Sequence, residues 1–193
     1  MGCPIHEDPG GVYEDVLLSL HGHHQGDNAA CALAAVEAFF AQPLDADVVT
    51  KGFASVTAPG RFEVVRRNPL VVLDGAHNPE GAVAAARTLR EDFEFVGETL
   101  VVLGMLQPRD PSALFEALEI DRASVVVVCE PDSPRAIPTD TLATAARAFG
   151  VDVIVEADVV RAVDRALRLA GEDDAVLIAG SIYVVGAART HLT

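Results

Sequence analysis

The residues best suited to chemistry lie in short loops that follow apolar runs. Asp74-Gly75-Ala76-His77-Asn78-Pro79 combines a carboxylate able to accept from ribose hydroxyls, a glycine that lets backbone approach a ligand, and an imidazole able to donate to an anion. The same residues admit a plainer reading, in which Asp74 and Asn78 cap the next helix and His77 faces solvent. Gly180-Ser181 poses a similar choice between presenting a hydroxyl and N–H groups to a carboxylate and serving as a helix N-cap. In Leu106–Pro111, Arg109 and Asp110 carry charge, and Asp110 reads as a cap. Asn28, at the start of an Ala-rich helix, reads by default as a cap, and Arg61, where a turn enters a strand, as a surface charge. His21, His23 and His24 stand at i, i+2, i+3 in a Gly-rich loop, a spacing that suits a solvated loop better than a metal site. No Ser-His-Asp order, H-E-x-x-H or G-x-x-x-x-G-K-[ST] occurs.

The elements that must position these residues follow from periodicity. Val/Leu/Ile-rich runs at Leu70–Leu73, Leu100–Gly104, Val125–Cys129, Val151–Val155 and Ala175–Ala179 alternate with helical stretches at Glu80–Glu91, Ser112–Leu118, Thr139–Phe149 and Val159–Ala170. That β-α repeat predicts an α/β fold, a Rossmann-like, mostly parallel sheet with helices on both faces, because the runs scarcely alternate in polarity. Asn78-Pro79 and Asp110-Pro111 each pair a cap with proline at the first helical position. Phe62–Arg67 reads as a strand folded back on Leu70–Leu73 through Arg67-Asn68-Pro69, which puts one antiparallel strand at an edge. Upstream, a strand over Val12–Leu20, the loop His21–Asp27, a helix near Asn28–Phe40 and a short helix near Ala46–Ser55 are too few to bury a core, so this segment must lean on something else.

Half of the 193 residues are hydrophobic and tryptophan is absent, so the core must be built from Val, Leu, Ile and Ala. A formal charge of −15 argues against a nucleic-acid partner, whose phosphates require Lys and Arg, and fits a protein that handles small molecules. Cys3, Cys31 and Cys129 lack any C-x-x-C spacing, which points to a reducing cytoplasm. No apolar run approaches the roughly 20 residues that cross a bilayer, and the polar start is unlike a signal, so neither a membrane nor export is expected.

Taken in order, His24-Gln25 with Asn28-Ala29-Ala30, Pro59-Gly60-Arg61-Phe62-Glu63, and Leu73-Asp74-Gly75-Ala76-His77-Asn78-Pro79-Glu80-Gly81-Ala82 resemble the C-terminal half of the folylpolyglutamate/dihydrofolate synthases. Pro134-Arg135-Ala136 and Gly180-Ser181 with Val185-Gly186 extend the likeness from about residue 11 to residue 190. The resemblance implies a Mur-ligase-like architecture, with residues 1–57 the end of a central ATPase domain and residues 58–193 the C-terminal domain. It also implies ATP and Mg²⁺ as cofactors, and a folate or dihydropteroate carboxylate joined to L-glutamate through an acyl phosphate. By position, Asn28 would contact adenine, Arg61 the nucleotide and Asp74 the ribose, while His77 and Ser181 would hold glutamate; no catalytic or metal-ligating residue is carried over.

Arg61, Asp74 and His77 should then gather at one rim of the sheet. The family's usual Asp-Lys-Asp appears here as Pro108-Arg109-Asp110, which keeps the charge and changes its geometry. The P-loop, the magnesium ligands and the folate-binding region have no counterpart in these residues. The expectation is therefore a chain inactive by itself, whose partner is a missing N-terminal ATPase domain; the rival is a stand-alone nucleotide- or ligand-binding module. A small dinucleotide-binding protein is disfavoured, because no G-x-G-x-x-G follows a strand.

Overall fold

Strands made almost entirely of Val, Leu and Ile need apolar cover on both faces, and in the computed structural model, which describes residues 11–193, they have it. The polar start and Cys3 lie outside the described residues. The chain separates into two compact units, Met1–Ala58 and Pro59–Thr193.

In the first unit, helices α1 (His23–Phe40) and α2 (Ala46–Ser55) enclose a small core of Tyr13, Val16, Leu33 and Val49. Asp45 caps α2, its side chain accepting from the N–H groups of Asp47 and Val48. Three expectations are corrected here. Val12–Leu20 forms no strand; only Tyr13 makes a single bridge, since an extended segment needs a partner ladder to become a strand. The polar stretch before Asn28 is already helical, α1 starting at His23 behind Gly22, whose φ of 94° only glycine adopts readily. Asn28 is consequently no cap: it lies inside the helix, exposed, and its Nδ2 donates to Gln25 Oε1 at 3.1 Å.

The second unit is a three-layer α/β/α sandwich. Its strands are β1 (Glu63–Arg67), β2 (Leu70–Leu73), β3 (Thr99–Leu103), β4 (Val125–Val128), β5 (Asp152–Val155) and β6 (Ala175–Ala179), in the order β1-β2-β6-β3-β4-β5. All neighbours are parallel except β1 and β2, which form the expected edge hairpin around Asn68-Pro69. Alternate strand residues feed opposite layers. Val72, Val101, Leu103, Val126 and Leu177 pack under α3 (Pro79–Glu91), α4 (Pro111–Ala117) and α5 (Thr139–Arg147). Val71, Leu73, Val102, Val127, Val176 and Ile178 pack under α6 (Val159–Leu169) and α7 (Ile182–Leu192), a helix that the apolar periodicity did not single out. Asn78, Asp110, Asp158 and Ser181 cap α3, α4, α6 and α7 with side-chain oxygens. No helix among the described residues is long and apolar enough to cross a membrane.

Candidate functional site

Parallel strands deliver their following loops to one edge of the sheet, where helix N-termini leave N–H groups free for anions. In the second unit the loops after β2, β3 and β6 meet there. The Asp74 N–H donates to Ile178 O at 3.0 Å and the Gly180 N–H to Ala76 O at 2.9 Å, lacing the β2 loop to the end of β6. Gly180, at φ 94°, sits so close to the β3 loop that a Cβ there would lie 2.8 Å from Gly104 O.

Asp74 organises this edge. It is 7% exposed, its Oδ2 accepts from the Phe62 N–H at 2.8 Å and its Oδ1 from the Ala76 N–H at 2.7 Å. The carboxylate thus ties the entrance of β1 to the loop after β2. The Gly75 N–H adds a bond to Gly60 O at 2.7 Å, and a Cβ on Gly75 would be 3.8 Å from an Arg61 guanidinium nitrogen. Arg61 is exposed and makes no ion pair among the described residues, a free cation in an acidic chain.

His77, half-buried, closes the group with Nδ1 at 2.7 Å from Gly75 O. A carbonyl only accepts, so Nδ1 carries the proton; Nε2 is then an acceptor in the neutral ring and a donor in the charged one. Arg61, Asp74 and His77 therefore do converge on Gly75.

Ser181, a buried residue, joins the same rim through Gly180, but its hydroxyl oxygen accepts from the Tyr183 N–H at 3.2 Å as the cap of α7. Asn78 likewise caps α3 through the Gly81 N–H at 2.9 Å. Arg109 is exposed beyond β3, in a segment strapped to the one after β4 by the Gln107 N–H to Arg135 O at 2.8 Å; neither arginine forms an ion pair among the described residues. Asn28 belongs to the first unit.

Sequence reasoning missed what holds Arg61. Glu63 accepts from the Gly60 N–H at 2.8 Å and from Arg189 Nε at 3.0 Å, a partner 126 residues away that no local pattern announces. The buried Cys129 thiol, at the end of β4, is pushed up to about 12 by burial and by the nearby Asp158 and Glu130 carboxylates, which leaves it a small apolar filler rather than a nucleophile. No group of three His, Cys, Asp or Glu side chains among the described residues could hold a metal ion.

A doubly covered, mostly parallel sheet with loops and helix N-termini gathered at its carboxyl edge defines a Rossmann-like α/β domain, the class that binds ligands at that edge. The chain belongs to the Mur ligase family: residues 60–182 match its model for the Mur ligase, glutamate ligase domain. It is similar to the dihydrofolate synthase/folylpolyglutamate synthase of Mycobacterium tuberculosis, 44% identical over 203 residues that cover 94% of this chain and 41% of that protein. A crystal structure of Mycobacterium tuberculosis folylpolyglutamate synthase complexed with ADP and AMPPCP superposes at a TM-score of 0.87 with 44% identity, over 94% of this chain and 42% of that one.

E. coli FolC in complex with DHPP and ADP gives a TM-score of 0.84 at 28% identity, over 95% and 42% of the two chains. The Yersinia pestis bifunctional folylpolyglutamate synthase/dihydrofolate synthase complexed with AMPPNP and Mn gives 0.77 at 26%, over 93% and 42%. The chain therefore spans about two fifths of the length of each of these relatives.

Proposed function

We propose that this chain is the glutamate-ligating portion of an ATP-dependent amide ligase that joins L-glutamate to the carboxylate of a folate or dihydropteroate. The observation that carries the reading is the convergence of Arg61, Asp74 and His77 on Gly75 at the carboxyl edge of the sheet. Membership of the glutamate ligase domain family and the nucleotide complexes of similar structures support it.

In this reading residues 1–57 are the end of a P-loop ATPase domain and residues 58–193 form the C-terminal domain. The acceptor carboxylate attacks the γ-phosphorus of ATP and ADP leaves. The amine of glutamate then attacks the acyl phosphate carbon, phosphate leaves with the bonding pair, and the amine loses a proton. Arg61 neutralises phosphate charge, and the Asp74 carboxylate is the partner of the ribose hydroxyls. Asn28, exposed on α1, contacts adenine. His77 holds glutamate, accepting from its ammonium when neutral and donating to its carboxylate when charged; Ser181, whose oxygen already accepts the capping bond from Tyr183, donates its hydroxyl proton to the carboxylate.

ATP suits the rim because the exposed Arg61 guanidinium, without an ion pair among the described residues, complements polyphosphate charge. A magnesium ion would supply phosphate charge neutralisation when bound, and in this reading its protein ligands would come from the P-loop domain. Titration calorimetry with ADP, together with ADP release assayed on the chain mixed with a P-loop domain, tests the reading. Arg61→Ala should weaken ADP binding by about tenfold, the worth of a charge-assisted hydrogen bond. ADP release by these 193 residues alone, given folate and glutamate, would overturn the need for a partner domain.

A further inference from the structure

Arg61 is bracketed by two left-handed residues, Gly60 at φ 70° and Phe62 at φ 47°. Such a backbone is disfavoured for an aromatic residue, and Phe62 is 1% exposed with its ring 5.5 Å from that of Phe93, so the surroundings must hold it. Two of the restraints belong to the β2 loop already described. The third comes from the far end of the chain. Glu63 accepts the Gly60 N–H at 2.8 Å, and Arg189 Nε lies 3.0 Å from each Glu63 oxygen.

Arg189 stands on α7 at the third level of one helical stripe that begins with Ser181 and continues with Val185 at i+4. Val185 is the residue on which Gly60 is seated, since a Cβ on Gly60 would come 2.7 Å from Val185 Cγ1. One helix thus carries Ser181 at its cap and supports the Arg61 segment along its side.

We propose that Glu63, oriented by Arg189, is a positioning residue that aims Arg61 at the rim, and that α7 is the strut linking Arg61 to the Ser181 loop. The functional part of this inference rests on the reading of Arg61 as a nucleotide contact. Neither Glu63 nor Arg189 touches ligand; both act through the backbone on either side of Arg61.

The test uses the full chain with Glu63→Ala, Arg189→Met and the reversed pair Glu63→Arg/Arg189→Glu, followed by amide hydrogen exchange, thermal unfolding and ADP calorimetry. Glu63→Ala and Arg189→Met should speed exchange at the Gly60 amide and weaken ADP binding by about fivefold, the scale of one lost hydrogen bond. In an Arg61→Ala background Glu63→Ala should have no further effect on ADP affinity. The reversed pair should recover thermal stability while leaving the Gly60 amide unprotected, because arginine at 63 offers no acceptor. Unchanged Gly60 exchange in Glu63→Ala overturns the proposal, as does an equal loss of ADP affinity with and without Arg61. If Arg61→Ala alone leaves ADP binding intact, the nucleotide reading fails, and the exchange measurements still decide whether Glu63 positions the segment.

Discussion

Asp74→Asn separates a carboxylate that holds the rim from one that merely decorates it. The two oxygens accept from different N–H groups, Phe62 at 2.8 Å and Ala76 at 2.7 Å, and an asparagine keeps only one oxygen. Its amide nitrogen would face the other N–H, donor against donor. Losing a hydrogen bond to a charged acceptor costs about 1.5–3 kcal/mol, and stranding a buried N–H costs about 1–3 kcal/mol, two descriptions that largely overlap. A net loss of about 1.5–3 kcal/mol follows. Phe62 is the more exposed to damage, since its left-handed backbone relaxes once its N–H is released.

For a unit of this size about 3 °C per kcal/mol translates the loss into a drop of roughly 5–9 °C in the unfolding temperature. Asp110→Asn supplies the control. Asp110 caps α4 from an exposed position with a 2.9 Å bond to the Ser112 N–H, and asparagine caps as well as aspartate, so that variant should stay within about 0.5 kcal/mol of the parent. Urea and thermal unfolding followed by circular dichroism would measure both. An Asp74→Asn chain as stable as Asp110→Asn would show that Asp74 does not hold the rim, and the account of how Arg61 is placed would go with it.

Gly180→Ala should cost about 2 kcal/mol or more, since its Cβ would meet Gly104 O at 2.8 Å from a φ of 94°. Gly52→Ala, inside α2 with nothing within 4 Å of the new Cβ, should stabilise the first unit by about 0.5–1 kcal/mol; urea titrations of both variants check the contrast. The Glu37 carboxyl is held below its usual range chiefly by the hydrogen bond from the Tyr13 hydroxyl; burial opposes this, and the Gly11 and Leu44 N–H groups reinforce it. A depressed carboxylate contributes stability that is complete above its unfolded pKa and lost as pH falls through the folded one, so acid should loosen α1, and Tyr13→Phe should flatten that dependence in hydrogen-exchange profiles. A maleimide at neutral pH should label the exposed Cys31 in the native chain and spare Cys129, as peptide mass mapping would show.

Where a rule is local, the sequence was legible. Leu70–Leu73, Ala175–Ala179 and Ala46–Ser55 were read with their observed bounds, because an apolar run or a cap such as Asp45 acts within a few residues. Asn78-Pro79 and Asp110-Pro111 start α3 and α4 for the same reason. Val12–Leu20 failed as a strand because pairing depends on a partner and not on β-propensity alone. The start of α1 was hidden because Gly22 makes no side-chain cap and the first turn is polar, leaving no boundary signal until the alanines begin. Asn28 and Ser181 show opposite outcomes of one ambiguity: the residue taken by default for a cap lies within its helix, whereas Ser181 does cap α7. Glu63 and Arg189 were invisible because ion pairs 126 residues apart leave no pattern in a single sequence.

The placement of Ser181 turns on a point of topology that chain order conceals. Read consecutively, the last strand should lie beyond β5 at the far edge, yet β6 is inserted between β2 and β3, in register from Leu70↔Ala175 to Leu73↔Ile178 on one side and from Thr99↔Ala175 to Leu103↔Ala179 on the other. β2 and β6 are thus neighbours whose following helices leave for opposite faces, α3 packing Ala82, Ala85 and Leu89 into one layer and α7 packing Val184, Val185 and Ala188 into the other. Adjacent loops that part to opposite sides open a crevice at the carboxyl edge, the place where open α/β sheets bind ligands. The Gly180 N–H to Ala76 O bond ties the two loops together, and Arg61 lies beside Gly75 just ahead of β1, the antiparallel strand that hairpins onto β2. At the far edge, β5 stands half-exposed with no second strand beyond it and offers no such parting of loops, so a rim that unites Asp74, His77 and Ser181 exists only because the final strand returns to the middle of the sheet.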